Sequence, residues 1–298
     1  MSPRPAAFKR PTLLIVGCGD VGLRVVRLLR SRWRLIALTS SIDRVPALRA
    51  AGVVPLLGNL DDPATLARLA GLADAVLHLA PPPSHGDTDP RTANLLHALA
   101  LHGRVRRIVY GSTSGVYGNC AGARFDETRA VNPASARALR RVDAEQRLRW
   151  YGRAFGARVT LLRIPGIYAL DREGGDPRSR VARGAPVLTA ADDVYTNHIH
   201  ADDLARACVA ALVRGASQRV LHVCDDTELK MGDYFDFVAD LHGLARPPRI
   251  TRAAAAAQLS PMQLSFMNES RRLDNRRMKR ELKLRLRYPT VAEGLRAD

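Results

Sequence analysis

The sequence has few cysteines and no long apolar run, and each shortage excludes a class of structure. Its four cysteines, Cys18, Cys120, Cys208 and Cys224, lie far apart in 298 residues and form no CxxC pair. This spacing gives neither a zinc knuckle nor a disulfide framework, so we expect no metal site. No apolar run reaches the roughly 18 residues that span a bilayer, so we expect no membrane partner. The sequence therefore predicts a reduced, cytoplasmic protein.

Lysine is nearly absent although the chain is strongly basic. Of 46 basic residues only Lys9, Lys230, Lys279 and Lys283 are lysines, and the formal net charge is +17. Such a charge raises the possibility of a nucleic-acid partner. The arginines are scattered along the chain, whereas a nucleic-acid footprint is concentrated on one element. We therefore interpret the charge as compositional bias and expect no specific nucleic-acid partner.

Short apolar runs alternate with helical spacing through the first 225 residues. The predicted strands are 12–16, 35–38, 53–57, 75–79, 107–110, 159–162 and 219–224. The predicted helices are 22–29, 43–50, 63–71, 91–102, 133–154 and 200–214. Strands that alternate with helices pair in parallel through right-handed crossovers. The pattern predicts an α/β protein with a Rossmann-type, doubly wound parallel sheet, whose ligand lies over the carboxyl ends of the strands.

The remaining segments predict a second, smaller unit. Residues 164–191 are rich in glycine, proline and charge, which indicates a loop over the edge of the sheet. The chain from about residue 226 has mostly helical spacing and is expected to end in a loose tail. We therefore expect a dinucleotide-binding domain of residues 1–163, with 201–225 completing its sheet. Residues 164–200 and 226–298 would form a small, mostly helical substrate lobe.

A glycine motif follows the first predicted strand. The run Gly17-Cys-Gly-Asp-Val-Gly22 is a GxGxxG sequence between a strand and a helix. In that context Gly17 makes the tight turn, Gly19 lets the backbone approach a pyrophosphate, and Gly22 lets helix and strand pack closely. Gly17, Gly19, Asp20, Val21 and Gly22 are therefore the predicted phosphate-binding residues of a dinucleotide site.

The end of the second strand bears on the choice of cofactor. NAD sites usually carry a carboxylate here for the ribose hydroxyls. This chain has Thr39, Ser40 and Ser41, with Arg44 just beyond. Small hydroxyl side chains and an arginine suit a 2′-phosphate, so we expect Thr39, Ser40 and Arg44 to bind NADP in preference to NAD. The alternative, that Arg44 is one surface arginine among many, leaves NAD open.

Several further motifs resemble one family along nearly the whole chain. They lie at residues 17–22, 58–62, 78–80, 111–118, 162–168 and 198–204, with closing matches at 272–275, 281–282, 288–289 and 293–295. Their order resembles extended short-chain dehydrogenases of the NAD-dependent epimerase/dehydratase type. The GxGxxG spacing, in place of the usual GxxGxxG, is similar to the atypical group of that superfamily.

The resemblance implies further cofactor contacts. Asn59 and Leu60 would flank the adenine, with Asn59 in place of the family's usual aspartate. His78, Leu79, Ala80 and Pro81 would line the middle of the cofactor.

The resemblance also implies a role for Thr113, which stands four residues before Tyr117, where the family has its catalytic serine or threonine. Its hydroxyl would hydrogen-bond and polarise a substrate oxygen. The alternative is that it only caps the end of a strand. Ser114 and Gly115 follow it, so the Thr-Asp-Glu triplet of sugar-nucleotide 4,6-dehydratases is missing and that elimination is disfavoured.

The family's acid/base pair, Tyr-x-x-x-Lys, is also missing. Counting back from Glu145, which matches the acidic residue four positions after that lysine, places Arg141 at the lysine and Arg137 at the tyrosine. Arg141 keeps the charge that holds a ribose or a phosphate. Arg137 cannot replace the tyrosine, because a guanidinium with a pKa above 12 does not exchange a proton near neutrality. Both are retained as candidate catalytic residues that bind an anionic group.

Other residues offer weaker alternatives. Tyr117, Tyr151 and Tyr168 are available phenols, although a place in the core or at its rim explains each of them. His198 and His200 have no third ligand at suitable spacing, which favours a structural role over a metal site.

Two functions follow from these motifs. The leading hypothesis is an NAD(P)-dependent oxidoreductase or epimerase for a small polar or anionic substrate, such as a nucleotide sugar, in which a non-standard residue moves the proton. The alternative is a catalytically weak or inert NAD(P)-binding protein that senses the cofactor or supports a partner. By resemblance, helix 133–154 is the candidate for pairing two copies in a homodimer.

Overall fold

The computed structural model describes residues 10–296, except for the side chains of Pro261, Met262 and Phe266. The outer ends of the predicted ranges 1–163 and 226–298 therefore lie outside the described residues. The strands are β1 Thr12–Val16, β2 Arg34–Thr39, β3 Val54–Leu57, β4 Ala75–His78, β5 Arg107–Thr113, β6 Arg124–Phe125, β7 Arg158–Ile164, β8 Gly166–Tyr168, β9 Val187–Leu188, β10 Tyr195–Thr196, β11 His198–His200, β12 Arg219–His222, β13 Leu229–Lys230, β14 Arg249–Ile250 and β15 Arg272–Leu273.

Helices connect these strands. The α-helices are α1 Asp20–Leu29, α2 Val45–Ala50, α3 Pro90–Ala100, α4 Ala136–Phe155, α5 Pro177–Ala182, α6 Ala201–Arg214, α7 Met231–Leu241, α8 Arg252–Gln258, α9 Pro261–Met267, α10 Arg276–Glu281 and α11 Val291–Arg296. Short 3-10 helices span Ile42–Arg44, Pro63–Leu69 and Ser114–Tyr117. None of the helices within residues 10–296 is long and apolar enough to cross a membrane.

A seven-stranded sheet forms the centre of the molecule. Its strand order is β12-β7-β5-β4-β1-β2-β3, and every neighbouring pair is parallel. This arrangement confirms the predicted doubly wound α/β fold. The chain leaves β1 toward β2 and β3, then returns to the other side of β1 to form β4. Such a reversal opens a crevice at the carboxyl ends of β1 and β4, where ligands of this architecture bind.

Alternate side chains of each strand enter two separate cores. Leu13 and Ile15 face a layer that contains α1 and α6, whereas Leu14 and Val16 face a layer that contains α3 and α4. All four side chains are at most 1% exposed. Because both faces are covered, the strand is a continuous apolar run, as expected of parallel sheets.

Two expectations about the rest of the chain were wrong. Residues 164–191 contain β8, α5 and β9 rather than loop alone, and residues 291–296 form α11 rather than a loose tail. Tyr168, Val181 and Leu295 pack in one small core with α7. These buried side chains are spaced singly among glycine, proline and charged residues, so they give no periodic signal in the sequence.

Candidate functional site

The glycine loop turns directly after β1, against the backbone that follows β4. Gly17 has a φ of +87°, and a Cβ built on it would lie 2.7 Å from both Ala80 Cα and the carbonyl carbon of Leu79. The amides of Leu79 and Ala80 donate to the carbonyl of Val16 at 2.7 and 3.0 Å. Gly17 is therefore required on two grounds, backbone conformation and space. Pro81, the next residue, is exposed.

Gly19 stands at the amino end of α1 and faces open space. It is the N-cap residue in an extended conformation, and a Cβ on it would have nothing within 4 Å in the part of the chain that is described. A Cβ on Gly22 would approach the carbonyl oxygen of Gly17 at 3.3 Å, so this glycine allows close packing of helix and loop. The free amides and dipole of a helix terminus bind anions. The loop thus leaves an open cradle at the helix terminus, which a side chain larger than that of Gly19 would fill.

Asp20 belongs to a cluster of charges beside this cradle. Its carboxylate pairs with Arg24 at 3.0 Å and with Arg172 at 3.1 Å. Arg24, whose side chain is 4% exposed, also binds Asp171 and Asp202 at 2.5 Å. The cluster fastens α1 to α6 and to the segment after β8. The structure therefore gives Asp20 a structural role; its contact with a cofactor remains a prediction, as does that of the partly buried Val21.

The end of β2 lies close to the glycine loop. Arg44 Nη2 donates to the carbonyl of Cys18 at 2.7 Å, which places the guanidinium beside the loop. Ser40 is exposed, whereas Thr39 is buried and its Oγ1 accepts from the amide of Ser41 at 3.3 Å. Burial raises the pKa of the Cys18 thiol to about 11. The thiol is therefore protonated, and Arg44 is the charged group at this corner.

Two predicted adenine contacts shape the loop after β3. Asn59 Oδ1 accepts from the amide of Asp61 at 3.0 Å, and the carbonyl of Leu60 accepts from Asn94 Nδ2 at 2.8 Å. The Leu60 side chain packs in the core beside α3. These contacts fix the loop at the same edge of the sheet as the glycine motif.

His78 lies under the site rather than in it. Its ring is 1% exposed, and Nε2 shares a hydrogen bond of 2.9 Å with Thr92 Oγ1. Burial, together with the charge of Arg141, lowers the pKa of His78 to about 3, so the ring is neutral. At this strand end the side chain faces the core, and only the backbone that follows it approaches the glycine loop.

Thr113 is the last residue of β5, and Arg141 bonds to two earlier residues of the same strand. Arg141 Nη1 donates to Tyr110 Oη at 2.9 Å and to the carbonyl of Gly111 at 2.7 Å. Its Nε is buried without a hydrogen-bond partner among the described residues. Thr113 Oγ1 accepts from the amide of Gly115 at 3.1 Å. The strand-end cap is therefore present, while a lone pair and the hydroxyl proton of Thr113 stay chemically available.

Arg137 lies one turn before Arg141 on α4. Partial burial lowers its pKa, and the charge of Arg141 lowers it further, whereas the carboxylate of Glu269 raises it. Glu269 Oε2 would lie 4.0 Å from a Cβ built on Gly115. It also pairs with Arg271 Nη2 at 2.6 Å. The structure thus brings a carboxylate to the predicted catalytic residues that the sequence did not indicate.

Glu269 is carried by residues 268–273, here called the strap. The carbonyl of Ser270 accepts from the amides of Cys120 and Gly122 at 3.0 Å, and Arg271 Nη1 donates to the carbonyl of Gly118 at 2.7 Å. The partners are about 150 residues apart in the chain, so no local pattern predicts the contact. The one sequence signal for Glu269 is its position, because it lies three residues before Arg272, where a closing match to the family begins.

The three alternative phenols are enclosed in the core. Tyr117 and Tyr151 are 1% exposed and Tyr168 is 2% exposed. Tyr117 Oη hydrogen-bonds Arg163 Nη1 and His222 Nε2, both at 2.6 Å. Burial raises the pKa of Tyr117 to about 12. The structure confirms a place in the core for each phenol.

A buried ion pair connects α4, which carries the predicted catalytic residues Arg137 and Arg141, to the sheet. Glu145 on α4 and Arg163 on β7 form two hydrogen bonds of 3.1 and 2.7 Å, and their side chains are 5% and 6% exposed. Ser112 Oγ donates to the same carboxylate at 2.6 Å. Because each polar atom in this group finds a partner, the pair fixes α4 against the sheet.

The two histidines of β11 have structural partners. His198 stacks on Tyr234 with 4.1 Å between ring centroids, and His200 packs against Tyr288 at 4.0 Å. Within residues 10–296 no three histidine, cysteine or acidic side chains are grouped so as to hold a metal ion.

Comparison with known proteins identifies the family. A model of the NAD dependent epimerase/dehydratase family matches residues 13–224. The chain belongs to this family. Protein YeeZ of Escherichia coli strain K12 is 26% identical over 245 residues, which cover 78% of this chain and 84% of YeeZ. A dTDP-glucose 4,6-dehydratase of Mycolicibacterium smegmatis is 29% identical over 276 residues, covering 78% of this chain and 81% of the dehydratase.

Solved structures share the fold along nearly the whole chain. A conserved protein of unknown function from Silicibacter pomeroyi is 32% identical, with a TM-score of 0.81 over 96% of both chains. A nucleoside-diphosphate-sugar epimerase from Pseudomonas aeruginosa gives a TM-score of 0.78 at 20% identity, covering 96% of this chain and 95% of the other. At that identity the likeness concerns the fold alone.

Proposed function

We propose that this chain binds NAD or NADP in the crevice between β1 and β4 and uses it in epimerase-like or dehydratase-like redox chemistry. Membership of an NAD-dependent family supports NAD(P) binding. The observation that carries the proposal is the open space before Gly19 at the amino end of α1. Gly17 lets the loop turn and Gly22 lets it pack closely on α1 beside that space, so the residues present fit a pyrophosphate.

NADP is the proposed cofactor of choice. Arg44 is exposed and anchored beside the glycine loop, and Ser40 is exposed at the end of β2. A guanidinium and a hydroxyl at this corner would hold a 2′-phosphate. The neighbouring structures contain NAD in a dTDP-glucose 4,6-dehydratase from Streptomyces venezuelae and in MoeE5, which leaves NAD as the alternative.

The proposed substrate is small, polar and anionic, with a nucleotide sugar as the leading candidate. Related structures bind UDP-glucose, as in the 4-epimerase from Thermotoga maritima. In this chain Arg137 would contact an anionic group of the substrate, because a guanidinium is a permanent hydrogen-bond donor. Arg141 would hold the ribose beside the end of β5, and Thr113 would hydrogen-bond the reacting oxygen.

The residues divide the chemistry between them. The bound nicotinamide supplies a hydride acceptor or donor. Thr113 orients the substrate oxygen, and the arginines stabilise negative charge without exchanging a proton. The proton therefore has to move through a residue outside the family's Tyr-x-x-x-Lys motif.

Calorimetric titration with NADP and NAD tests the proposal. Wild type should bind at least one of them, and Gly19→Val should weaken binding at least 100-fold because the side chain fills the cradle. Ala47→Val, an exposed change on α2, is the matched control and should leave affinity unchanged. Equal affinity in wild type and Gly19→Val would remove the site.

A second function, a catalytically weak cofactor-binding protein, is favoured by the substitution at Arg137 and by the burial of the three phenols. Turnover by wild type on a panel of nucleotide sugars separates the two functions. Cofactor binding without turnover would establish the second.

We further propose the domain division and the homodimer that the sequence suggested. The small cores around Tyr168 and Val187 are separate from those of the sheet, which supports a substrate lobe of 164–200 and 226–298. Leu139, Trp150 and Phe155 on α4 are 38%, 60% and 40% exposed, which supports pairing of two copies through that helix. Light scattering should show a dimer that Trp150→Glu separates.

A further inference from the structure

Neither the position of the family's catalytic tyrosine nor the three alternative tyrosines supplies a proton-exchanging group near Thr113. Arg137 occupies the position of the family's tyrosine, and Tyr117, Tyr151 and Tyr168 are buried in the core. Hydride transfer at an alcohol requires the hydroxyl proton to leave as the carbonyl forms. A proton acceptor near Thr113 is therefore needed for the proposed function.

Gly115 marks the place where such a group lies. A Cβ built on it would be 3.5 Å from Thr113 Oγ1 and 4.0 Å from Glu269 Oε2. The hydroxyl and the carboxylate therefore both lie within 4.0 Å of one point, the Cβ position that Gly115 leaves empty. The sequence has no acid at position 115, but the strap brings one there from 154 positions further along the chain.

The strap holds this carboxylate in a fixed and partly desolvated position. Arg271 Nη2 donates to Glu269 Oε2 at 2.6 Å, and Arg271 Nη1 donates to the carbonyl of Gly118 at 2.7 Å. The side chains of Glu269 and Arg271 are 14% and 13% exposed. A carboxylate of this kind is positioned before the substrate arrives and keeps part of its surface exposed to solvent.

We propose that Glu269 is the acid/base residue of this chain, an assignment that rests on the proposed function. In the oxidative direction the substrate hydroxyl, held by Thr113, gives its proton to the Glu269 carboxylate. The hydrogen on the same carbon leaves as hydride to oxidised NAD(P), and the carbon–oxygen single bond becomes a carbonyl. In the reductive direction the Glu269 carboxylic acid returns the proton to the alkoxide. Arg137 stabilises nearby negative charge.

Three variants of Glu269 test this assignment against a matched control. Glu269→Gln keeps the shape and removes the proton acceptor, Glu269→Asp keeps the acid, and Glu269→Ala opens space for added formate. Glu281→Gln removes another arginine-paired carboxylate, on α10 against Arg219, and should behave as wild type. The measurements are calorimetric affinity for NADP and for UDP-glucose, turnover on a nucleotide-sugar panel, and its pH profile.

We expect Glu269→Gln to lower kcat at least 100-fold while both affinities stay within threefold, since general acid–base catalysis contributes about 10²–10⁴-fold. The acidic limb of the wild-type pH profile should disappear in this variant. Formate should restore part of the activity of Glu269→Ala, which a purely structural role would not allow.

The measurements distinguish a failure of the Glu269 assignment from a failure of the proposed function. Turnover by Glu269→Gln within threefold of wild type would overturn the assignment and leave the proposed function standing. A wild type that binds NADP but turns over no member of the panel would overturn both the redox function and the assignment. A wild type that binds neither NADP nor NAD would overturn the cofactor site first, and the assignment with it.

Discussion

The phosphate loop and the catalytic segment differ in how the chain builds them. The loop, residues 17–22, is one contiguous run whose geometry depends on three glycines at fixed spacing. The catalytic segment is the name used here for the proposed catalytic residues, which are Thr113 on β5, Arg137 and Arg141 on α4, and Glu269 on the strap. The loop would act through backbone amides, whereas the catalytic segment would act through side chains from three places. In a site built from separate side chains, the role of one residue can be taken over by a residue from a distant part of the chain.

The same contrast appears in what surrounds each region. Gly17 is constrained by the backbone of Leu79 and Ala80, so the loop tolerates almost no change there. The catalytic segment rests on a buried polar network that includes Glu145 and Arg163. Its stability therefore depends on the pairing of charges rather than on the shape of the backbone. The following predictions test that difference, from the largest expected effect to the smallest.

Gly17→Val should be the most damaging change. It places a branched side chain at a φ of +87° and against the backbone of Ala80. Strain and overpacking together should reduce the free energy of unfolding by about 2–6 kcal/mol. Urea unfolding measures this loss. Gly19→Val should cost less than about 1 kcal/mol, and similar losses at both glycines would contradict the division between a packed and an open position.

Glu145→Ala should be nearly as damaging, through charge rather than shape. It leaves Arg163 buried without its carboxylate, and breaking a buried pair costs about 3–5 kcal/mol. The control is Glu281→Ala, whose partner Arg219 is 39% exposed, and which should cost less than about 1 kcal/mol. If urea unfolding gives equal losses for the two variants, the network does not support the catalytic segment.

The network also predicts a dependence of stability on pH. Burial lowers the pKa of His222 to about 3, far below the 6.5 of an exposed histidine. The unfolded chain takes up this proton below pH 6.5 and the folded chain does not, so stability falls as the pH falls from 6.5 toward 3. From pH 7 to pH 5 this histidine should cost about 2 kcal/mol.

Urea unfolding at pH 7, 6 and 5 measures that loss. His222→Gln keeps a donor and an acceptor for Asp274 and Tyr117. It should reduce the loss of stability between pH 7 and pH 5 by about 2 kcal/mol, while the buried His78 continues to contribute a loss of its own. The exposed His85, changed to glutamine, is the control. A wild-type stability that is constant from pH 7 to pH 5 would show that this ring is not held neutral.

Arg44→Ala should have the smallest effect, confined to the choice of cofactor. Wild type should bind NADP about tenfold or more tightly than NAD, and the variant should lose most of that difference, since a charge-assisted hydrogen bond contributes about 1.5–3 kcal/mol. Calorimetry with both cofactors measures it. Arg49→Ala, an exposed arginine of α2, should keep the difference. Equal affinities in wild type would exclude a 2′-phosphate site at Arg44.

The sequence determined the parts of this protein whose physics is local. Apolar runs alternating with helical spacing indicated the strands and helices of the sheet, and each crossover then had only one favourable hand. The GxGxxG run predicted a tight turn at Gly17, where the structure has a φ of +87°, and a close backbone approach at Gly19, which faces open space. Such requirements could be predicted because they belong to the backbone of six consecutive residues. The sequence also indicated that Arg137 stands in place of the family's tyrosine, since Arg137 lies at a fixed spacing from Glu145 on the same helix.

Only the tertiary structure decided the rest. The buried side chains are irregularly spaced in residues 164–191 and 291–296. They follow no strand or helix period, so the sequence predicted neither β8 nor α11. Whether Tyr117 faced the cleft or the core depended on Arg163 and His222, which are far from it in the chain. Glu269 lies beside Gly115 because the strap crosses the loop after β5 through long-range hydrogen bonds. A pairing of that kind depends on where the folded elements lie in space, which no local sequence pattern records.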